Sequence, residues 1–284
     1  RFSFQPLRPL FSYSIFQFLF NIINYFSRNS DTLLIGKYLG MVPLGFYDKS
    51  YRLMSLPLQN ITQVITPVIH PILSQKGKDK HYLVEANLKL TSLLSLIGFP
   101  LSIFLFFSAD ELILLFFGPQ WGGAISSFKI LSLTVGIQLI LSSSGSIFQT
   151  AGDTKSLFIC GLFSAILNVS GILFGVFYVK SIDAVALCLL VTFSVNFVQT
   201  YWLMYRVVFR QSMTCFFNSL WRPILFTLSL AVVFHFLISY YLPDNLAFRL
   251  LFKIGIYLFT MILMIWFGGY RSQLLAFLRK SPLE

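Results

Sequence analysis

Charge is what this sequence has least of. Only 11% of its 284 residues are Asp, Glu, Lys or Arg, where a soluble domain of this size carries about 25%. A large soluble core does not explain the deficit, because such cores are built from amphipathic elements that keep a polar face. Cysteine is also rare. Cys160, Cys188 and Cys215 lie far apart in apolar sequence, with no CxxC and no histidine pairing. That argues against a disulfide framework or a zinc site, and leaves core or lipid-facing cysteines. A nucleophile motif, a phosphate loop and a metal-ligand cluster are all missing, so an enzyme is not expected and no cofactor is implied. The chain begins at Arg1 with no small-residue cleavage site near it, so a fragment or trimmed chain is expected rather than a signal peptide.

What is present is apolar sequence. Hydrophobic residues reach 56%, with 33 Phe, and mean hydropathy is +0.77. The apolar runs are about 20 residues long, the length that crosses a bilayer core. They predict an all-α polytopic membrane protein of about eight transmembrane helices. The expected spans are Phe11–Gly36, Tyr51–Leu73, Leu88–Phe107, Phe128–Phe148, Leu157–Val179, Ala184–Tyr205, Leu220–Tyr241 and Ala247–Phe267. The connections are short. The segment SADELILLFFGPQWGGA reads either as a short interfacial helix anchored by Trp121 or as a plain loop.

Lys and Arg set the orientation. With the N-terminus inside, thirteen of the 21 basic residues fall inside and seven outside, with Arg28 left in a span. Both termini are therefore predicted to be cytoplasmic. The net charge of +11 follows from this bias and does not imply nucleic acid.

One stretch breaks the apolar pattern: NIINYFSRNSD, residues 21–31. Extended back to Gln17, its polar positions are Gln17, Asn21, Asn24, Arg28 and Asp31. At about 100° per residue they stay within roughly an 80° arc, a stripe about four turns long. Asn29 falls outside it. Such a stripe does not face lipid, where each charge costs at least about 2.5–3.5 kcal/mol. Either it lines a hydrophilic cavity, or Arg28 and Asp31 pair and the stripe merely docks one helix on another. The next predicted helix adds Lys49, Arg52, Gln59, Asn60, Thr62 and Gln63, with Pro57, Pro67 and Pro71 favouring kinks. Together these residues suggest a basic cavity suited to an anionic group such as a diphosphate. For Lys49 and Arg52 the alternative is snorkelling to the outer headgroups. His70 and His235 read as packed histidines, and the Asn60 and Asn168 glycosylation patterns fall inside spans and are discounted. Gly161, Gly171 and Gly175 allow close helix packing.

Several motifs carry a family resemblance. They are Asn29-x-Asp31, Leu34 to Gly36, Leu44 to Tyr47, Tyr51-Arg52 and Leu56-Pro57, followed by FFGPQWGG and QTAGDTKS. In this order they resemble the Wzx-type polysaccharide transporters of the multidrug/oligosaccharidyl-lipid/polysaccharide flippase superfamily. The resemblance implies a C-terminal portion of a 12–14-helix transporter: a second six-helix lobe over 1–205 and two appended helices over 206–284. It implies movement of undecaprenyl-diphosphate-linked oligosaccharide repeats across the bacterial cytoplasmic membrane by alternating access. It also implies a missing N-terminal lobe, membrane lipids as surroundings, polysaccharide polymerase machinery as a partner, and a coupling proton or sodium ion. On that reading Arg28 and Arg52 attract the diphosphate or sugar hydroxyls. Gln17, Asn21 and Asn24 bond sugars, and Asp31 balances Arg28 or exchanges the ion. Two other readings stay open: a drug or lipid-precursor exporter of the same superfamily, and a membrane polysaccharide polymerase or ligase. The short outer loops count against the second.

Overall fold

The computed structural model describes residues 7–74, 80–240 and 245–267, apart from the side chains at 7–13, 28, 65–74, 238–240 and 267. Every described element is helical. The long helices are α1 (Leu7–Tyr38), α2 (Met41–Ser74) and α3 (Lys80–Phe107). A short α4 (Ala109–Phe116) and a 3₁₀ turn (Pro119–Ala124) lead into α5 (Ile125–Ser132), α6 (Val135–Ser142) and α7 (Ser144–Thr150). Then come α8 (Thr154–Leu173), α9 (Ile182–Leu203), α10 (Thr214–Tyr240) and α11 (Leu246–Phe267). Both α8 and α9 run on into a π turn, closed by Lys180 and Arg210 in left-handed conformation.

Seven of the eight predicted spans are thus single helices. The fourth, Phe128–Phe148, is broken into α5, α6 and α7, with a 50° bend after Ser132. Among the described residues five helices are long and apolar enough to cross a membrane, and the bent pair makes a sixth. Helices α1 and α2 have the length, at 32 and 34 residues, but lie outside that set. α2 runs through Pro57 as one helix.

The centre of the bundle is α3, which packs on α5, α6 and α10. Its contact with α6 is made at two glycines. A Cβ on Gly98 would stand 2.9 Å from the Cα of Gly136, so the two backbones nearly touch there. Ser102 Oγ accepts the Gly136 N–H at 2.8 Å, which satisfies a donor beside the break in the helix. On the far side α8 packs on α1 and α9. The three glycines of α8 permit it: Gly161 faces Phe20 of α1, while Gly171 and Gly175 face Cys188 and Val185 of α9. The apolar core falls into two main clusters. One is built around Tyr47, Ile113, Phe128 and Val185, at the end of the α1–α2 turn. The other is built around Leu94, Phe148, Tyr201 and Phe216, toward the opposite end. The outer faces of α8 to α11 show Phe163, Phe174, Trp202, Phe236 and Phe259, as lipid-facing surfaces do.

Candidate functional site

A cavity of about 740 Å³ opens between α1, α2, the broken helix, α8 and α9. From α1 it takes Phe20, Asn24, Ser27 and Asp31. This face is centred about 50° round the helix from the predicted stripe, so one edge of the stripe reaches the cavity and the other does not. From α2 come Tyr51, Leu58, Gln59, Thr62 and Gln63. Gln138, Ser142 and Ser144 come from the broken helix, Ser164 and Asn168 from α8, and Phe193, Asn196 and Thr200 from α9.

The lining is polar but nearly uncharged. Among the described side chains it holds six amides, Asn24, Gln59, Gln63, Gln138, Asn168 and Asn196, and one charged residue, Asp31. Several are already oriented by neighbours. Thr192 Oγ1 donates to Asn168 Oδ1 at 2.7 Å, tying α9 to α8. Gln138 donates to Thr134 Oγ1 at 2.7 Å, next to the bend. The Thr62 hydroxyl has no hydrogen-bond partner within the described protein.

Asp31 is buried, yet its carboxylate is well served. Tyr47 donates to Oδ2 at 2.7 Å, and the Thr32 backbone N–H donates to Oδ1 at 2.7 Å. Tyr47 in turn lies against the Tyr51 ring, 5.9 Å between centroids. The Asp and Tyr of the first motif block are therefore direct partners across the α1–α2 turn. Asn29 instead donates back to the Tyr25 carbonyl of its own helix at 2.7 Å.

The other predicted site residues are placed as follows. Asn24, Asp31 and Gln59 line the cavity. Gln17 donates to Asn21 at 3.4 Å along α1, outside the lining. Lys49 does not point into the cavity. Its ammonium lies 5.2 Å from the Trp121 ring and 5.3 Å from Phe117. Arg52 pairs with Asp48 at 3.0 Å, with 72% of its side chain exposed. The Arg28 and His70 side chains lie outside the described residues. His235 sits exposed beside Phe236 on α10, not buried. Trp121, a candidate membrane anchor, packs instead on Phe46 and Phe117.

The two later motifs are turn chemistry. Gly118 holds φ 94° ahead of Pro119 at the start of the 3₁₀ turn. Gly152 holds φ 74°, and Asp153 caps α8 by accepting from the Ser156 N–H at 2.9 Å. Gln138 and Asn196 drew no notice in the sequence, and Asn168 only as a discounted glycosylation pattern. Amides inside otherwise apolar spans are the signal that marks them.

Comparison with known proteins now has a geometry to meet. Residues 1–126 match the family described as polysaccharide biosynthesis protein. Similar proteins include the teichuronic acid biosynthesis protein TuaB of Bacillus subtilis, 27% identical over 82% of this chain and 48% of that protein. The lipopolysaccharide biosynthesis protein WzxC of Escherichia coli is 25% identical over 82% of this chain and 47% of its own. The succinoglycan biosynthesis transport protein ExoT of Rhizobium meliloti is 26% identical over 84% and 48% respectively. Over most of its length the chain is similar to proteins named for polysaccharide biosynthesis. It spans about half the length of the curated relatives it matches. The fold is that of a solved lipid II flippase, MurJ in an inward closed conformation. The TM-score is 0.70 at 17% identity, covering 90% of this chain and 53% of that one. An outward-facing multidrug resistance MATE family transporter of the MOP superfamily matches with TM-score 0.55 at 15% identity, over 82% and 55%. The family resemblance read from the motifs and the all-α polytopic membrane fold are both borne out.

Proposed function

We propose that this chain forms one lobe of a flippase that carries lipid-linked oligosaccharide repeats across the bacterial cytoplasmic membrane for surface-polysaccharide assembly. The observation that carries the reading is the amide-lined, nearly uncharged cavity inside a membrane bundle. Amides and hydroxyls both donate and accept, which is what sugar hydroxyls require, and Phe20, Tyr51 and Phe193 offer flat apolar faces among them. The named relatives, and the flippase fold, support the same direction.

The cavity leads to a division of labour. The glycan lies along Asn24, Gln138, Asn168 and Asn196, and the undecaprenyl tail stays in the bilayer. The diphosphate sits nearer Arg52, which lies along one edge of α2 with Gln59 and Gln63. Arg28, Gln17 and Asn21 extend the polar track. A preceding lobe completes the cavity, and the two rock between inward and outward openings. Residues 1–205 act as the six-helix lobe and 206–284 as an appended pair. Both termini lie in the cytoplasm, the polymerase machinery receives the product outside, and the chain performs no covalent chemistry.

One observation favours a second reading, export of a cationic small molecule: the single charged side chain described in the cavity is acidic. Asp31 is already bonded by Tyr47 and Thr32, which leaves it a weak attractor for a cation.

The test is complementation. The full-length gene is placed in a strain lacking its own flippase, with a matched polysaccharide locus, and surface polymer is assayed beside lipid-linked repeats retained inside. Restored export with loss of the retained repeats is expected. Normal insertion without restoration overturns the reading.

A further inference from the structure

A second polar site lies well apart from the cavity residues, where α3 ends and α4 begins. α4 carries adjacent carboxylates that turn to different partners. Asp110 meets Lys129 of α5 at 2.7 Å. Glu111, with 1% of its side chain exposed, meets Lys253 of α11 at 2.7 Å. The Lys253 side chain is 4% exposed and donates also to the Phe107 carbonyl, at 2.6 Å. Phe107 is the last residue of α3, so this carbonyl sits at the negative end of a helix and lacks an intrahelical donor. Arg249, one turn before Lys253, stands 3.4 Å from the same Glu111 oxygen.

The rest of α11 is lightly held. Lys253 and Met264 are its only buried residues among those described. Its other contacts run down α3 and α10: Tyr257 against Phe104 of α3, 5.0 Å between rings, then Met261 and Met264 near Leu96 of α3 and Phe226 of α10. Apolar contact with α3 gives little preference over contact with lipid, since both are apolar. The two hydrogen bonds of Lys253 fix both the height and the rotation of α11.

We propose that α4 is an ionic joint. Glu111 fixes α11 to the end of α3 through Lys253, and Asp110 fixes the first piece of the broken helix through Lys129. The last helix then moves with the body that presents Gln138 to the cavity.

The test is a cross-link in membranes, in the full-length protein with Cys160, Cys188 and Cys215 replaced by Ser. Phe104→Cys and Tyr257→Cys are joined by a short bifunctional thiol reagent. Because the readout is proximity, it is independent of what the cavity carries. Glu111→Gln or Lys253→Met alone leaves a buried partner unmatched and is expected to cut the yield about fivefold or more. Lys253→Arg keeps the donor and retains most of the yield. The paired apolar replacement Glu111→Leu with Lys253→Met leaves no buried charge unmatched, so the protein accumulates, but without the ion pair the cross-link stays reduced. Unchanged yield in both single variants overturns the joint. Should the single variants fail to accumulate, the apolar pair decides: recovered protein with a reduced cross-link supports the joint, and recovered protein with the full cross-link overturns it.

Discussion

The Tyr47 hydroxyl donates a 2.7 Å hydrogen bond to the buried carboxylate of Asp31, sixteen residues away and across the turn between α1 and α2. Removing that donor leaves a buried oxygen short of a partner, at a cost of about 1–3 kcal/mol. Tyr47→Phe is therefore expected to lower the thermal midpoint in detergent. Asp31→Asn keeps an acceptor for Tyr47 and loses less stability than Asp31→Ala.

The crossing of α3 and α6 has no room for a side chain. A Cβ on Gly136 would lie 2.6 Å from Phe99 Cδ1 and 3.0 Å from the Gly98 backbone. Gly136→Val is expected to cost about 1–3 kcal/mol or more by overpacking. Gly255 of α11 has nothing within 4 Å of that position. Gly255→Ala is expected to be neutral or to stabilise by up to about 1 kcal/mol. Thermal unfolding of the two variants side by side checks both.

These relationships show how far the sequence could be read. Helical type and the place of most spans were legible because apolar runs of span length have few other uses. The two later motifs marked places where backbone geometry is demanding, at Gly118, Gly152 and the Asp153 cap, while Asp31 and Tyr51 of the first block line the cavity. The stripe on α1 meets the cavity along one edge only. Asn24 and Asp31 line the cavity, but the helix is turned, because Gly161 of α8 admits Phe20 and sets its packing. Lys49 was misplaced because an aromatic loop some seventy residues on supplies its partners. The break at Ser132 and the Glu111–Lys253 pair depend on contacts between distant segments, which spacing along one helix does not encode.

The amide wall gives an export prediction. On the proposed glycan path, Asn24→Leu and Asn196→Leu each remove about one sugar hydrogen bond, worth about 0.5–1.5 kcal/mol. Each is expected to slow export about three- to tenfold at unchanged membrane level, measured as surface polymer per copy of protein.

Arg52 separates stability from transport. Its pair with Asp48 is exposed and so contributes no more than about 1 kcal/mol. Arg52→Gln is expected to leave thermal unfolding nearly unchanged and still reduce export, because the diphosphate loses a cation. Unchanged export in Arg52→Gln removes Arg52 from the proposed site.

Ser164 and Ile166 lie two residues apart on α8, on nearly opposite faces. Ser164 lines the cavity, and Ile166 is 57% exposed on the outer face. The most direct measurement compares Ser164→Cys and Ile166→Cys in the full-length protein lacking its native cysteines. Each is treated with a water-soluble thiol reagent, with and without accumulated lipid-linked oligosaccharide. A wet glycan cavity facing away from lipid requires that Cys at 164 be labelled, that the oligosaccharide slow this labelling, and that Cys at 166 stay unlabelled despite its greater exposure. Labelling of 166 with 164 protected or inert in both conditions contradicts it.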